Sequence, residues 1–281
     1  MVRPGRPSRA LKPQANTSRF VERTLQRART RYRVPAAQGL HFDVVPLVTV
    51  PISDIVAATP RSRLVQIDVR DVGFEFQPGQ AVIVGEHGQH ERRPYSIACS
   101  PDQTSETGLL DLLIGVERDG GLGANLGPAA PGTLVDLEGP VGTFTLPRLE
   151  PHSRVLLVAG GTGIAPLRSM LDHMLRRQPA LRISLLYSVR RGDEFAFIEE
   201  LQGHAEAGRL ELHQTVTRDE DASWSGQRGR IGRSHFESVL HEPAGTLCFV
   251  CGPEQLVAES VSTLRALGVP EAHVRTEQWA R

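Results

Sequence analysis

Arg154-Val155-Leu156-Leu157-Val158-Ala159-Gly160-Gly161-Thr162-Gly163-Ile164-Ala165-Pro166 changes character midway. Up to Ala159 it is continuously apolar, as expected of a parallel strand buried on both faces. The glycines that follow let a backbone approach a pyrophosphate, and a helix N-terminus offers free N–H groups and a positive dipole end. Leu167, Met170, Leu171, Met174 and Leu175 fall at i, i+3, i+4, i+7 and i+8, which predicts that helix. Pro166 suits its first turn. The glycine pattern is G-x-G-x-x-P rather than the dinucleotide fingerprint with a third glycine, and a tight turn without ligand is the competing reading.

Downstream, the texture continues as strand and helix. Strands are expected at Ile183–Tyr187, Leu210–Val216 and Thr246–Val250, an acid-flanked helix near Glu194–Leu201, and another from about Pro253 to Leu267. This alternation predicts an α/β domain with an open parallel sheet over residues 152–281. Upstream, apolar segments are short and broken by turns: Val48–Val50, Leu64–Val69, Ala81–Val84, Leu110–Ile114 and Leu134–Leu137. That spacing predicts an antiparallel β-barrel over 42–147. Leu146–Pro151 reads as the linker between the two domains.

The barrel segment contains Arg93-Pro94-Tyr95-Ser96, just after the turn Phe76-Gln77-Pro78-Gly79-Gln80. A guanidinium grips phosphate through a charge-assisted fork. A phenol ring stacks on a flat ring system, and a nearby hydroxyl can reach that ring's redox nitrogen. The order Arg93–Ser96, then Gly160–Pro166, then Cys251-Gly252-Pro253 resembles the ferredoxin–NADP+ reductase superfamily, from roughly Phe42 to the C-terminus.

The resemblance implies a flavin-binding barrel followed by a nicotinamide nucleotide-binding domain, with hydride passed between the cofactors. It assigns Gly160, Gly161, Thr162 and Gly163 to the nicotinamide nucleotide. Arg93, Pro94, Tyr95 and Ser96 go to the flavin, as do Leu113, Ile114 and Gly115 along its side chain. Gly120-Gly121-Leu122-Gly123 resembles a second flavin-phosphate loop. Relatives usually carry Ser or Thr where Gly123 or Ala124 stands, so that hydroxyl contact is lost here while backbone N–H groups remain. Cys251 and Glu277 are placed beside the reacting nicotinamide carbon, Gly252 lets backbone approach the ring, Pro253 starts a helix, and Trp279 is placed over the flavin. Ser96, Cys251 and Glu277 are thus the catalytic candidates. The context Arg93–Pro101 favours FAD over FMN.

An arginine near the end of the second strand accommodates a 2′-phosphate, whereas an acid there selects NAD. Arg190, Arg218 and Arg230 lean towards NADPH, while Asp219, Glu220 and Asp221 oppose a phosphate. NADH stays open. The expected activity is NAD(P)H-dependent reduction of bound flavin, followed by single-electron transfer to a separate iron–sulfur protein or an oxygenase component. An electron-transfer subunit of a larger complex and a non-catalytic redox-sensing module are the rival readings.

The net charge is zero, so nothing global favours nucleic acid, but its distribution is uneven. Residues 1–33 hold ten of the 32 basic residues and one of the 32 acids, which leaves 22 bases against 31 acids elsewhere. A basic arm over 1–41 therefore precedes an acidic body. It reads as a solvated tail, a transit peptide or a docking element for an acidic redox partner. No apolar run approaches the ~20 residues that span a bilayer, and the arm lacks the apolar core of a secretory signal. The three cysteines, Cys99, Cys248 and Cys251, are too few for an iron–sulfur cluster. Such sparse use fits a reducing cytoplasm. Cys248 and Cys251 sit three apart on a predicted strand, so their side chains face opposite ways and do not form a redox pair. The ten histidines show no metal-binding spacing, and no metal site is expected.

Overall fold

The computed structural model describes residues 46–116, 122, 126, 128–151, 153–219 and 224–279. The basic arm and the loop glycines Gly120, Gly121 and Gly123 lie outside these residues, as do Glu220 and Asp221.

Six strands build the first sheet: β1 (Leu47–Thr59), β2 (Ser62–Asp68), β3 (Ala81–Glu86), β4 (Arg93–Ser96), β5 (Leu109–Gly115) and β6 (Leu134–Val141). Their order is β4-β3-β6-β1-β2-β5, and each neighbouring pair is antiparallel. Ile97 bridges to Leu112 across the two edge strands and closes the barrel. Burial alternates along β6, with Val135 and Leu137 inward, as a half-buried strand requires. Strand β5 breaks the alternation and is buried from Leu110 to Ile114. Leu110, Leu112 and Ile114 fill the barrel core, while Leu113 packs into the core of the second domain. Helix α1 (Pro101–Thr107) starts where Ser100 Oγ accepts from the Gln103 N–H at 3.0 Å.

The second sheet is parallel throughout, in the order β10-β9-β8-β7-β11-β12. It comprises β7 (Arg154–Gly160), β8 (Arg182–Val189), β9 (Glu211–Val216), β10 (Gln227–Arg228), β11 (Thr246–Pro253) and β12 (Val274–Trp279). Helices α2 (Ile164–Arg177) and α3 (Ile198–Glu206) cover one face; α4 (Arg233–Val239) and α5 (Glu254–Ala266) cover the other. Cys251 belongs to the first of these cores and Cys248 to the second, so the strand does turn them to opposite faces.

One segment differs from expectation. Helix α3 begins at Ile198, not near Glu194; Gly192–Glu194 is a single 3-10 turn. The Gly192 N–H donates to Asp219 Oδ2 at 2.6 Å and the Ala196 N–H to Tyr187 Oη at 3.2 Å. These tethers satisfy the backbone locally, and Phe197 enters the helix at φ 59°. Within the expected linker, Leu149 is buried in the second domain's core.

Helix α2 ties the two domains together. Arg168 is only 7% exposed. Its guanidinium donates to both oxygens of Glu200 at 2.8–3.1 Å and to the Ala98 carbonyl at 2.8 Å. It lies 3.6 Å from Asp111 on β5 and 4.4 Å over the Phe197 ring. Ser169 Oγ donates to the Cys99 carbonyl at 2.6 Å, and Ser100 Oγ donates to Asp172. The segment following the Arg93–Ser96 strand is therefore held by side chains of the second domain.

Candidate active site

In an open parallel sheet, ligands bind at the carboxyl ends of strands where the strand order reverses. Here that point lies between β7 and β11. β7 ends in Gly160 and β11 in Gly252-Pro253, and packing requires these glycines. A Cβ on Gly160 would come within 2.4 Å of Leu256 Cδ2, and one on Gly163 within 2.3 Å of the Cys251 carbonyl oxygen. Gly252 packs directly against the Gly160 backbone. Gly161 has φ +58° and open space where a Cβ would stand, so the turn itself, not crowding, asks for glycine there. No side chain caps the start of α2. The Gly161 carbonyl accepts from Tyr187 Oη at 3.2 Å; Tyr187 packs edge-on to Phe195 at 5.0 Å, and Phe195 stacks in turn on Trp224 at 5.4 Å.

A cavity of about 490 Å³ opens beside this loop. Gly160, Gly161, Thr162 and Pro253 line it from the second domain, and Leu113 and Gly115 from the barrel. Arg190, Arg218 and Arg230, which come from the ends of β8, β9 and β10, line its far end. Neighbouring hydrogen bonds hold these ends together: the Arg218 N–H donates to the Arg190 carbonyl at 2.8 Å and the Gly229 N–H to the Val216 carbonyl at 2.8 Å. Asp219 turns its carboxylate to the Gly192 amide. Glycine backbone with an uncapped helix start at one end, and guanidinium groups at the other, fit a phosphorylated dinucleotide.

The three catalytic candidates come together from distant parts of the chain. Ser96 Oγ, at the end of β4, donates to Glu277 Oε2 on β12 at 2.9 Å. Cys251 Sγ lies 3.8 Å from the same oxygen, since Cys251 and Glu277 are register partners in β11 and β12. Burial raises the Glu277 carboxyl above the ordinary range, against hydrogen bonds from Ser96 and Cys251 that lower it. Burial, then the Glu277 charge, pushes the Cys251 thiol far up. Cys251 is therefore a thiol at neutral pH and no nucleophile.

The raised carboxyl gives a signed prediction. The folded protein keeps a proton on Glu277 that the unfolded chain releases above about pH 4.3. Its contribution to stability is thus present below that value and is lost as pH rises through the folded pKa. Glu277→Gln should melt higher relative to the parent at neutral pH than at about pH 4. Thermal melts at both pH values check this; a Tm difference independent of pH would refute it.

The other predicted residues are spread wider. Arg93 pairs with Glu91 at 2.7 Å, Pro94 is exposed, and Tyr95 is half-buried against the barrel core. Ile114 and Leu122 point into that core, so their backbone and not their side chains is available to a ligand. The Trp279 backbone pairs with Pro253 at the sheet edge; its ring lies outside what is described. Residues that sequence reasoning passed over also line the cavity, among them Arg61, from the β1–β2 hairpin, Glu194 and Glu259. Nothing in their local sequence marks them, because they meet only through the domain packing. Among the described residues, no group of three or more His, Cys, Asp or Glu side chains could hold a metal ion, and no helix is long and apolar enough to cross a membrane.

Residues 52–146 match the family described as oxidoreductase FAD-binding domain, and residues 157–262 match the oxidoreductase NAD-binding domain. The ferredoxin–NADP reductase B of Sorangium cellulosum (strain So ce56) is 32% identical over 244 residues, covering 80% of this chain and 96% of that protein. The chain belongs to the ferredoxin–NADP+ reductase superfamily. It is an NAD(P)H-dependent flavin oxidoreductase that uses FAD and a nicotinamide nucleotide. Methane monooxygenase component C of Methylosinus trichosporium is 35% identical over 137 residues, which is 48% of this chain and 39% of that longer protein. Among solved structures, a ferredoxin NADP+ reductase from Neisseria gonorrhoeae shares the fold of this reductase, with a TM-score of 0.70 at 21% identity, covering 83% of this chain and 98% of that one.

Proposed function

We propose that this reductase takes hydride from NADPH and delivers single electrons to a separate iron–sulfur protein or oxygenase component. The observation that carries the site assignment is the meeting of Ser96, Cys251 and Glu277 at the junction of a barrel, residues 42–147, and a nucleotide domain, residues 152–281. Bound FAD supplies the link between a two-electron donor and one-electron acceptors. Arg93 holds flavin phosphate, Tyr95 lies along the ring system, and Ser96 directs its hydroxyl towards the reacting edge. Leu113 and Gly115 border the flavin where the barrel meets the cavity. Gly160–Gly163 hold the pyrophosphate of the nucleotide, while Cys251, Gly252 and Glu277 keep water from the reacting carbon. Arg190, Arg218 and Arg230 receive the 2′-phosphate, which makes NADPH the preferred donor.

An acidic acceptor protein is the proposed partner, because ten basic residues crowd the first 33. Sparse cysteine use supports the reading that the reaction runs in a reducing cytoplasm. The test is an anaerobic absorbance titration of the purified protein with NADPH and with NADH, followed by addition of an oxidised ferredoxin. Bleaching by NADPH and recovery with ferredoxin are expected. Colourless protein that binds no added FAD, or reduced protein that ferredoxin fails to reoxidise, would overturn the proposal.

Arg218 gives a sharper check on donor choice. A charged contact to phosphate is worth about 1.5–3 kcal/mol. Arg218 is exposed, so the lower end applies. Arg218→Ala should lose about tenfold in kcat/KM with NADPH and little with NADH. Equal losses with both donors would make the arginine structural.

A further inference from the structure

We propose that Arg61 of the flavin domain clamps the pyrophosphate of the bound nicotinamide nucleotide, and that Glu194 holds Arg61 in place until the nucleotide arrives. The inference rests on reading the cavity as the nucleotide site. Arg61 sits on the two-residue turn between β1 and β2 and lines that cavity from the flavin domain. Its carbonyl accepts from the Val116 N–H at 2.9 Å, which ties the hairpin tip to the end of β5. A Cβ on Gly115 would touch both the Arg61 carbonyl oxygen and Thr162 Cγ2 at 4.0 Å. The hairpin tip is therefore next to the glycine loop. The other three cavity arginines stand at the ends of β8–β10. Arg61 thus adds a cation from the flavin domain, beside the glycine loop, to those at the strand ends, and a nicotinamide dinucleotide phosphate carries two anionic groups, the pyrophosphate and the 2′-phosphate.

Glu194 explains how Arg61 is held meanwhile. Arg61 Nε lies 3.7 Å from Glu194 Oε1, with the arginine side chain 56% exposed and the glutamate 14%. Such a long, single-contact pair across a wet cavity is weak. A phosphate offers a guanidinium two parallel short bonds and displaces the carboxylate. Because Arg61 and the glycine loop belong to different domains, the exchange also bridges them when nucleotide is present. Glu194 is then a carboxylate standing in for the phosphate, and it lowers affinity by the strength of its own hold.

Calorimetric titration of the full chain with ADP and with 2′-AMP tests this without turnover. ADP carries the pyrophosphate without the 2′-phosphate, and 2′-AMP the reverse. Arg61→Ala should weaken ADP about tenfold and 2′-AMP by less than about twofold. Glu194→Gln should tighten ADP by about two- to threefold, and that gain should vanish in the Arg61→Ala background. Equal losses for the two ligands, or none, would overturn the clamp, and a Glu194→Gln gain that survives without Arg61 would overturn the placeholder role. If the parent protein binds neither ligand, the nucleotide reading of the cavity falls and the clamp falls with it.

Discussion

Ser96→Ala should slow reduction of the bound flavin by NADPH about 100-fold while leaving the flavin bound. Ser96 is buried and donates to Glu277 at 2.9 Å, beside the end of β11 where the nicotinamide is expected to lie. Alanine removes the donor and leaves Glu277 with one hydrogen bond fewer in a site already costly to its charge. The local placement of the reacting groups then loosens, and small misplacements are costly in hydride transfer. Arg93 and Tyr95 stay on β4 in this variant, so flavin content should match the parent protein. Stopped-flow reduction under saturating NADPH measures the rate, and the absorbance ratio of flavin to protein measures occupancy. A rate within about twofold of the parent would remove Ser96 from the mechanism. Loss of flavin instead of rate would make it a cofactor-binding residue only.

Arg168→Met should cost about 3–5 kcal/mol of stability, the usual cost of leaving a buried charge without its partner. The guanidinium is held between Glu200, Asp111, the Ala98 carbonyl and the Phe197 face. Burial works against its charge, and Glu200 and then Asp111 more than restore it. Asp111 is itself pushed up by burial, with Gln66 as its foremost hydrogen-bond donor. Methionine fills similar space but leaves two carboxylates facing each other across the domain boundary. For a body of this size the loss corresponds to a fall in Tm on the order of 10 °C. Melts should be run at matched, saturating FAD, because cofactor binding adds its own stabilisation. Arg168→Lys should recover part of the loss by keeping the charge without the fork. A cost under about 1 kcal/mol for the methionine variant would mean that the carboxylates find other partners.

The sequence was most legible where one local pattern sufficed. The run ending at Gly160 with the periodic helix after it required a parallel strand and a phosphate-type turn, and β7 and α2 form there. Short apolar segments between turns required an antiparallel barrel, and the bridge from Ile97 to Leu112 closes one. Boundaries were less legible. Nothing local told that the segment after Arg191 would hold a 3-10 turn and delay its helix to Ile198, because the tethers come from Asp219 and Tyr187.

The site divides the same way, and the physical reason is the range of the interaction. Backbone propensity, hydrophobic period and glycine's freedom act over a few residues, so Arg93–Ser96, Gly160–Gly163 and Cys251–Pro253 could be found from the chain alone. Side-chain contact between residues far apart in sequence is set by how the two domains pack. That packing brings Ser96 to Glu277, 181 positions away. It turns Leu113 to the second domain while Ile114, one residue on, faces the barrel core. It also buries Arg168 against Asp111 and sets Arg61 opposite Glu194. Motifs local in the sequence named the cofactors; the tertiary structure alone decided which charged groups face each other across the two domains.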